Sequence, residues 1–285
     1  MSEDCFQPNM AVEILSGRVM ETNVAQVVTV AQAKSDGVQA FIMHHMLDSR
    51  VWAWTPSIHT TMPFGLTINA VMMLGVAVLL IVCLGLAARN QDPVPTGLRN
   101  VLEFFAKYIR NEMVIPFLGE KDGQKMAPMF CTFFFFILVM NLAGLIPCFN
   151  TATANLSVTA ALATVTLFFM VFGAIRKTGF IAFCKGFAPP GIPKPMLLMI
   201  VPIEVISMFI RIMALAIRLF ANMLSGHLVI YSLLGMVVIF GFYALPALLG
   251  ALGIYLLEVF VSFLQAYIFT LLSAIFIGER YHPAH

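Results

Sequence analysis

Long apolar runs separated by short polar stretches make up most of the chain beyond residue 66. The first three runs cover residues 67–88, 126–146 and 155–175. Each is close to the ~20 residues that a helix needs to cross a bilayer. The pattern therefore predicts three membrane-spanning helices, the second of which ends at Pro147.

Two further runs, 195–240 and about 245–278, are nearly unbroken and much longer. A ~40-residue helix is ~60 Å long, whereas the hydrocarbon core of a bilayer is ~30 Å thick. Either each run forms one long, strongly tilted helix, or each breaks into two spans. We favour the tilted pair, because the one strong break is at residues 241–243, and Pro202 lies near the start of its helix, where proline is best tolerated.

The polar segments divide the chain into two parts. Residues 1–60, with three Lys/Arg against six Asp/Glu, are predicted to form an N-terminal polar segment. Within it, residues 10–34 give a weak indication of a surface helix. Residues 61–285 are predicted to form the membrane domain.

Two polar stretches interrupt that membrane domain. The sequence VLEFFAKYIRNEMVIPFL, residues 101–118, places charges and apolar residues at helical spacing. It predicts an amphipathic helix in the membrane interface, with Glu103, Lys107, Arg110 and Glu112 on its solvated face. Residues 176–195 are predicted to be a loop that closes in the stiff run APPGIPKP.

The positions of the basic residues predict the topology. Segments 89–125 and 176–195 hold ten of the sixteen Lys and Arg residues, and the connection 147–154 holds no charge. With three spans placed as above, the two basic segments lie on the same side. The positive-inside rule then predicts the N-terminus outside and the C-terminus inside.

Composition limits the class of protein. The chain is 60% hydrophobic and 11% charged, against about a quarter charged in a soluble domain. This composition, together with the five apolar runs, predicts an all-α integral membrane protein with about five membrane helices. The net charge of +2 gives no reason to expect nucleic acid. The Met and Phe residues of the second and third spans are expected to face lipid (Met129, residues 133–136 and Met170).

We expect no metal site and no cofactor. The five cysteines are scattered without a C-x-x-C pair, so neither zinc nor a disulfide framework is indicated. His44, His45 and Asp48 offer a weak metal-binding pattern, but a membrane-entry or subunit-contact segment explains them better. The chain also lacks the G-x-x-x-x-G-K-[ST] phosphate loop, so we expect no ATP chemistry from it.

The two long runs carry few ionisable groups before their terminal Glu279 and Arg280: Glu204, Arg211, Arg218 and Glu258. An ionisable group at the bilayer centre costs roughly 3 kcal/mol even on insertion scales. Such groups by default face a polar cavity or a partner and indicate an ion path. The polar residues His227, Asn222 and Gln265 accompany them.

The spacing of these residues predicts two stripes, one on each long helix. The first stripe holds Glu204, Ser207, Arg211, Arg218, Asn222 and Ser225, and the second holds Glu258, Ser262 and Gln265. One antiparallel register brings Arg218 level with Gln265, His227 level with Glu258, and Glu204 level with Glu279. His227 follows Arg218 by nine residues, half a turn at about 100° per residue, so the two should face opposite ways.

Structural explanations of these residues remain open at this point. Arg218 pairs with Glu204 or Glu258 in one of them. In another, Arg211 only extends to the membrane surface or pairs with Glu204. In a third, His227 and Glu258 are core residues whose polar atoms are satisfied by hydrogen bonds and that have no role in an ion path.

The residues MALAIRLFANMLSGHLVIY, 213–231, and LQAYIFTLL, 264–272, resemble the a subunit of rotary F-type ATP synthases. FFILVMNLAGLIP, 135–147, and HHMLD, 44–48, also resemble this family. The resemblance covers residues 41–278. It implies several upright spans and two tilted helices that contact a ring of c subunits.

The resemblance also implies roles for single residues. Arg218 would be the central arginine, with Asn222 and Gln265 as neighbouring amides and Glu204 as an acid on the inner side. His227 and Glu258 would be the access-channel pair, in the order of the mitochondrial-type members. Ser207, Arg211 and Ser262 are further possible members of the path. The family usually lacks an N-terminal segment as long as residues 1–40.

The implied function is that of a non-catalytic stator subunit whose two proton half-channels, separated by Arg218, couple proton flow to rotation. Expected partners are the c-ring, b-type peripheral stalk subunits, other synthase subunits and the lipid membrane. The chain is expected in an energy-coupling membrane, either bacterial or mitochondrial. Whether the transported ion is a proton or a sodium ion remains open. A stand-alone cation/proton transporter or channel, or a structural scaffold, is the alternative.

Overall fold

The computed structural model describes residues 51–55, 58–61, 67–89, 97–146, 151–187, 194–240, 243 and 245–281. The weak surface helix predicted at 10–34 and the residues His44, His45 and Asp48 lie outside the described residues.

Helices dominate the described chain. Five of them are long and apolar enough to cross a membrane: α1 Ile68–Arg89, α4 Glu120–Gly144, α5 Leu156–Thr178, α7 Lys194–Phe240 and α8 Leu245–Tyr281. Shorter helical segments join them: α2 Leu98–Tyr108, a π-helical turn Ile109–Val114, α3 Ile115–Leu118, a 3₁₀ turn Ala152–Ala154 and α6 Phe180–Lys185. The predicted fold class, an all-α integral membrane protein with five membrane helices, is confirmed.

A short antiparallel hairpin, β1 Val51–Thr55 and β2 Ile58–Thr61, precedes the first long helix. This hairpin is not among the predicted elements. Alternating residues such as those of VWAWT are typical of a strand, but the stretch lies at the boundary of the predicted polar segment and is only five residues long.

The last two apolar runs form single continuous helices. α7 has 47 residues and α8 has 37, which correspond to roughly 70 Å and 55 Å at 1.5 Å per residue. The alternative in which each run breaks into two spans is therefore wrong. Both helices exceed the ~30 Å hydrocarbon core, which requires strong tilt or extension beyond the core.

The second span begins earlier than the sequence predicts. α4 starts at Glu120 instead of residue 126 and contains Pro128. Gly119, at φ 77°, allows the sharp entry into this helix, and Glu120 and Asp122 occupy its first turn, where acidic side chains are favourable. The charged residues at positions 120–125, at the end of the basic segment 89–125, therefore belong to the first turns of α4.

The third span and the following connection also differ from the prediction. α5 continues to Thr178, and α6 lies inside the stretch that we predicted to be a loop. Lys194 then begins α7. These boundaries differ from the predicted ones by a few residues because basic side chains can extend a helix past the apolar run.

The predicted amphipathic helix is present between α1 and α4. Its π-helical turn and α3 bury Ile109, Met113, Val114 and Leu118, whereas Lys107 lies exposed and its Nζ is 2.8 Å from Glu103 Oε1. This hydrogen bond and the nearby charge hold the pKa of Glu103 below its usual value. The charged side chains therefore lie on the exposed face of this helix, as predicted.

The core lies where α4 and α5 pack against α7 and α8. Phe134 is 1% exposed and packs edge-on against Phe263 at a centroid distance of 5.6 Å, and Phe133 packs against Phe269 at 5.9 Å. Our expectation that the Met and Phe stripe faces lipid is wrong for Phe133, Phe134, Phe135 and Met170, all of which are buried. Their apolar character alone does not distinguish lipid from a helix neighbour.

Candidate functional site

A buried histidine and a buried carboxylate meet between α7 and α8. His227 Nδ1 lies 2.9 Å from Glu258 Oε1, and the two residues are 6% and 4% exposed. The antiparallel register read from the sequence places these two residues at the same depth, and the structure places them in contact.

The hydrogen-bond partners of His227 fix how many protons the pair holds. Its Nε2 lies 3.0 Å from the carbonyl oxygen of Gly144, which can only accept, so Nε2 carries a hydrogen and donates it. Nδ1 faces two oxygens, Glu258 Oε1 at 2.9 Å and the backbone carbonyl of Met223 at 3.1 Å. Because the carbonyl can only accept, this arrangement favours an N–H at Nδ1 that is donated to a Glu258 carboxylate, so the proton on Nδ1 lies beside a group that can accept it.

Two glycines make this contact possible. A Cβ on Gly226 would overlap the Glu258 carboxyl, so the absence of a side chain lets α8 place its acid directly against α7. A Cβ on Gly144 would lie 2.8 Å from Thr151 Cγ2. Gly144 therefore lets the segment after α4 fold back beside the carbonyl that His227 uses.

Arg218 lies on the opposite face of α7 and is exposed. The described acids of the two long helices are all engaged elsewhere: Glu204 with Arg280, Glu258 with His227 and Glu279 with Arg211. The pairing of Arg218 with Glu204 or Glu258 that the sequence left open is therefore not made. α7 presents this guanidinium outward without an acidic partner on either long helix.

Two ion pairs join the C-terminal end of α8 to the N-terminal half of α7. Arg280 Nη2 donates to Glu204 Oε1 at 2.8 Å, and Arg211 Nη1 donates to Glu279 Oε2. One alternative paired Arg211 with Glu204. The structure instead pairs Arg211 with Glu279. Glu279 and Arg280 follow the last apolar run as a terminal pair of charges, and their contacts with the stripe on α7 are not predictable from their spacing alone.

The remaining predicted residues divide by burial. Asn222 and Ser207 are half-buried on α7. Ser262 and Gln265 are buried on α8, and the Ser262 hydroxyl donates to the Glu258 backbone carbonyl at 2.8 Å. Arg218 and Gln265 are not hydrogen-bonded to each other among the described residues, and Gln265 Nε2 is buried there without a partner.

Several buried polar atoms near the histidine were not predicted. Both side-chain polar atoms of Asn141 and the hydroxyl of Thr153 are buried without a hydrogen-bond partner among the described residues, as is Glu258 Oε2. Asn141 lies one turn before Gly144 on α4, and Thr153 lies in the 3₁₀ turn that packs against α7. A buried polar atom without a partner costs about 1–3 kcal/mol, so these atoms form a polar cluster inside an otherwise apolar interface. Asn141, a polar residue inside an apolar span, is the feature of the sequence that could have indicated this polar cluster.

Known proteins resemble the chain over most of its length. A family model described as ATP synthase A chain matches residues 70–278. A protein named ATP synthase subunit a from Anaeromyxobacter dehalogenans (strain 2CP-C) is 44% identical over 232 residues, which cover 79% of this chain and 57% of that protein. The ATP synthase subunit a of Chloroherpeton thalassium is 39% identical over 254 residues, covering 83% of this chain and 75% of the relative.

The chain spans about half the length of the Anaeromyxobacter relatives, with 57%, 51% and 53% of their residues covered. The protein of Myxococcus xanthus with the same name is 40% identical over 230 residues and 74% covered.

Proposed function

Because the chain belongs to the ATP synthase A chain family, we propose that it is the stationary membrane subunit that carries the proton path of a rotary F-type ATP synthase. α7 and α8 would lie against a ring of c subunits, with b-type stalk subunits and lipid on other sides. One observation carries the proposal. α7 presents Arg218 outward without an acidic partner, while its opposite face closes over the buried His227 and Glu258 pair.

The His227 and Glu258 pair is proposed to end the outer half-channel. A pair that holds one movable proton is suited to receiving a proton on one side and releasing it on the other. Support comes from the unsatisfied atoms of Asn141, Thr153 and Glu258, because a chain of waters bridging them would bring protons from the outer surface to Nδ1.

Arg218 is proposed to separate the two half-channels. An opposite charge within ~4–6 Å lowers the pKa of a carboxyl, so a ring carboxyl that passes Arg218 loses its proton. A guanidinium stays protonated in proteins, which prevents it from relaying protons directly between the channels. Its lack of an acidic partner on α7 and α8 leaves it available for that carboxylate.

The inner half-channel is proposed to run past Glu204, with Asn222 and Gln265 near the ring and Ser207, Arg211 and Ser262 as possible members of the path. The Glu204 and Arg280 pair is partly exposed, which supports access from the inner side. In this orientation the N-terminus lies outside and the C-terminus inside an energy-coupling membrane. The chain itself performs no ATP chemistry; it would be a non-catalytic subunit.

Isolation of the chain from native membranes tests the proposal. A tagged chain should co-purify with a ring of small subunits and a soluble ATPase head. Vesicles of the purified complex should make ATP after an acid-to-base shift, and omission of sodium should not change the yield if the ion is a proton. A chain that moves cations when reconstituted alone, without a ring or a head, would identify it instead as a stand-alone transporter.

Replacing Gly226 with alanine is expected to slow ATP-driven proton pumping by at least about tenfold. The new Cβ would displace the Glu258 carboxyl from His227, and a lost hydrogen bond to a charged group costs about 1.5–3 kcal/mol, where 1.36 kcal/mol is tenfold in rate. Acidification of inverted vesicles measures the rate.

Gly250→Ala is the matched control, since its Cβ would make an ordinary 3.8 Å contact with Leu233 on the same helix pair. Equal losses in the two variants would show that any added methyl disturbs this interface, and would contradict a specific role for Gly226.

A further inference from the structure

An open groove lies between α1, α2 and α4, away from the proton path. We call it the α2 groove. Its volume is about 620 Å³, within the ~300–1,000 Å³ range of small-molecule sites. None of its lining residues belongs to α7 or α8.

The floor of the α2 groove is apolar. It is formed by side chains of three helices: Leu84, Leu102, Ala106, Ala127, Cys131 and Phe135. Phe105 stacks on Phe134 at a centroid distance of 5.8 Å and so holds α2 against α4. The floor therefore has the chemistry of a site for a hydrocarbon chain and has fixed walls.

The rim of the same groove is cationic. Among the described residues, Arg99, Lys107 and Arg110 line it, against one carboxylate, Glu103. The rim thus carries two positive charges in excess, and the 2.8 Å bond from Lys107 to Glu103 positions the ammonium group. Lys107 and Arg110 are exposed at the groove.

We infer that the α2 groove binds an anionic phospholipid, with an acyl chain on the apolar floor and the headgroup phosphate at Lys107 and Arg110. Basic pockets between membrane helices on the inner side favour anionic headgroups, and in the proposed topology this rim lies on that side. A zwitterionic lipid would fill the floor but would leave the rim charge unmatched. An apolar helix of another subunit would likewise cover the floor and leave the positive charge of the rim unmatched.

Photo-crosslinking in native membranes tests the inference. The probe is phosphatidylglycerol with a diazirine in its acyl chain, and the crosslinked peptides are identified by mass spectrometry. Crosslinks are expected in residues 124–135 of α4, with competition by unlabelled phosphatidylglycerol at least about tenfold stronger than by phosphatidylcholine, since each basic residue contributes ~1 kcal/mol. Equal competition by phosphatidylcholine would overturn the inference, as would full competition by inorganic phosphate, or a groove occupied by a helix of another subunit.

The variant K107Q/R110Q removes the excess charge and should weaken capture of the probe about 30-fold, from two contributions of ~1 kcal/mol. K121Q is the matched control: Lys121 is exposed on the first turn of α4 but does not line the groove, so capture should persist. Unchanged capture in K107Q/R110Q would contradict the assignment. The competition arms with the unaltered chain decide the question if that variant does not assemble. Because the groove shares no residue with the proton path, failure here would leave the proposed function untouched.

Discussion

Replacing Arg218 with alanine is expected to abolish ATP synthesis driven by an imposed pH difference, while the soluble head continues to hydrolyse ATP. A unit charge ~4 Å from a carboxylate is worth about 4 kcal/mol at an effective dielectric constant of 20, roughly a thousandfold in rate. Without it, a ring carboxyl would keep its proton as it passes α7. Synthesis in vesicles, measured by luciferase after an acid-to-base shift, gives the result directly.

Arg211→Ala is the matched control on the same helix. Arg211 already pairs with Glu279 near the C-terminal end of α8, and an ion pair this exposed contributes about 0–1 kcal/mol. Its loss should therefore leave most of the synthesis. Coupled synthesis at the normal rate in Arg218→Ala would refute the role of Arg218. A loss in Arg211→Ala as severe as in Arg218→Ala would show that the effect is not specific to Arg218 and would place Arg211 in the proton path.

Removal of either member of the buried pair is expected to have the second largest effect. His227→Ala and Glu258→Ala each leave the other group buried without its partner, and removing one partner of a buried ion pair costs about 3–5 kcal/mol. Proton delivery should fall by at least about a hundredfold, because 1.36 kcal/mol is tenfold in rate. Exchange of the two residues, H227E together with E258H, keeps one acid and one imidazole at the same place and should recover part of the activity.

Thr270→Val controls for the loss of a buried polar group on α8. Thr270 is buried, and its hydroxyl donates only to the Ala266 carbonyl of its own helix, so this isosteric change should be nearly silent. If the exchange is no more active than the single variants, while all variants assemble to normal levels, the two residues do not act as a proton-sharing pair.

The apolar runs located four of the five long helices to within about three residues at each end. This worked because a bilayer admits only long apolar helices, whose backbone groups are satisfied internally. The start of α4 was missed because Glu120 and Asp122 are polar but compatible with a first helical turn. The lipid-facing assignment of Phe133 and Phe134 failed for a related reason. Lipid and a neighbouring helix are equally apolar, and hydropathy cannot separate them.

The candidate site followed partly from helical periodicity. A separation of nine positions between Arg218 and His227 places them on opposite faces of any α-helix, and a simple antiparallel register brought His227 level with Glu258. The register could not show that Glu279 would bond Arg211 or that Arg280 would bond Glu204. Long side chains reach a turn along a helix, so residue level alone does not select their partners.

The sequence by itself determined that the chain is a membrane protein, where its long helices run and which face of α7 each ionisable residue occupies, because hydrophobicity and helical period are local properties. Only the tertiary structure decided that Gly144 offers its carbonyl to His227, that Gly226 admits the Glu258 carboxyl, and that the acids of α7 and α8 leave Arg218 without a partner. These features depend on how closely separate segments approach, and that distance is set by packing among all the helices at once.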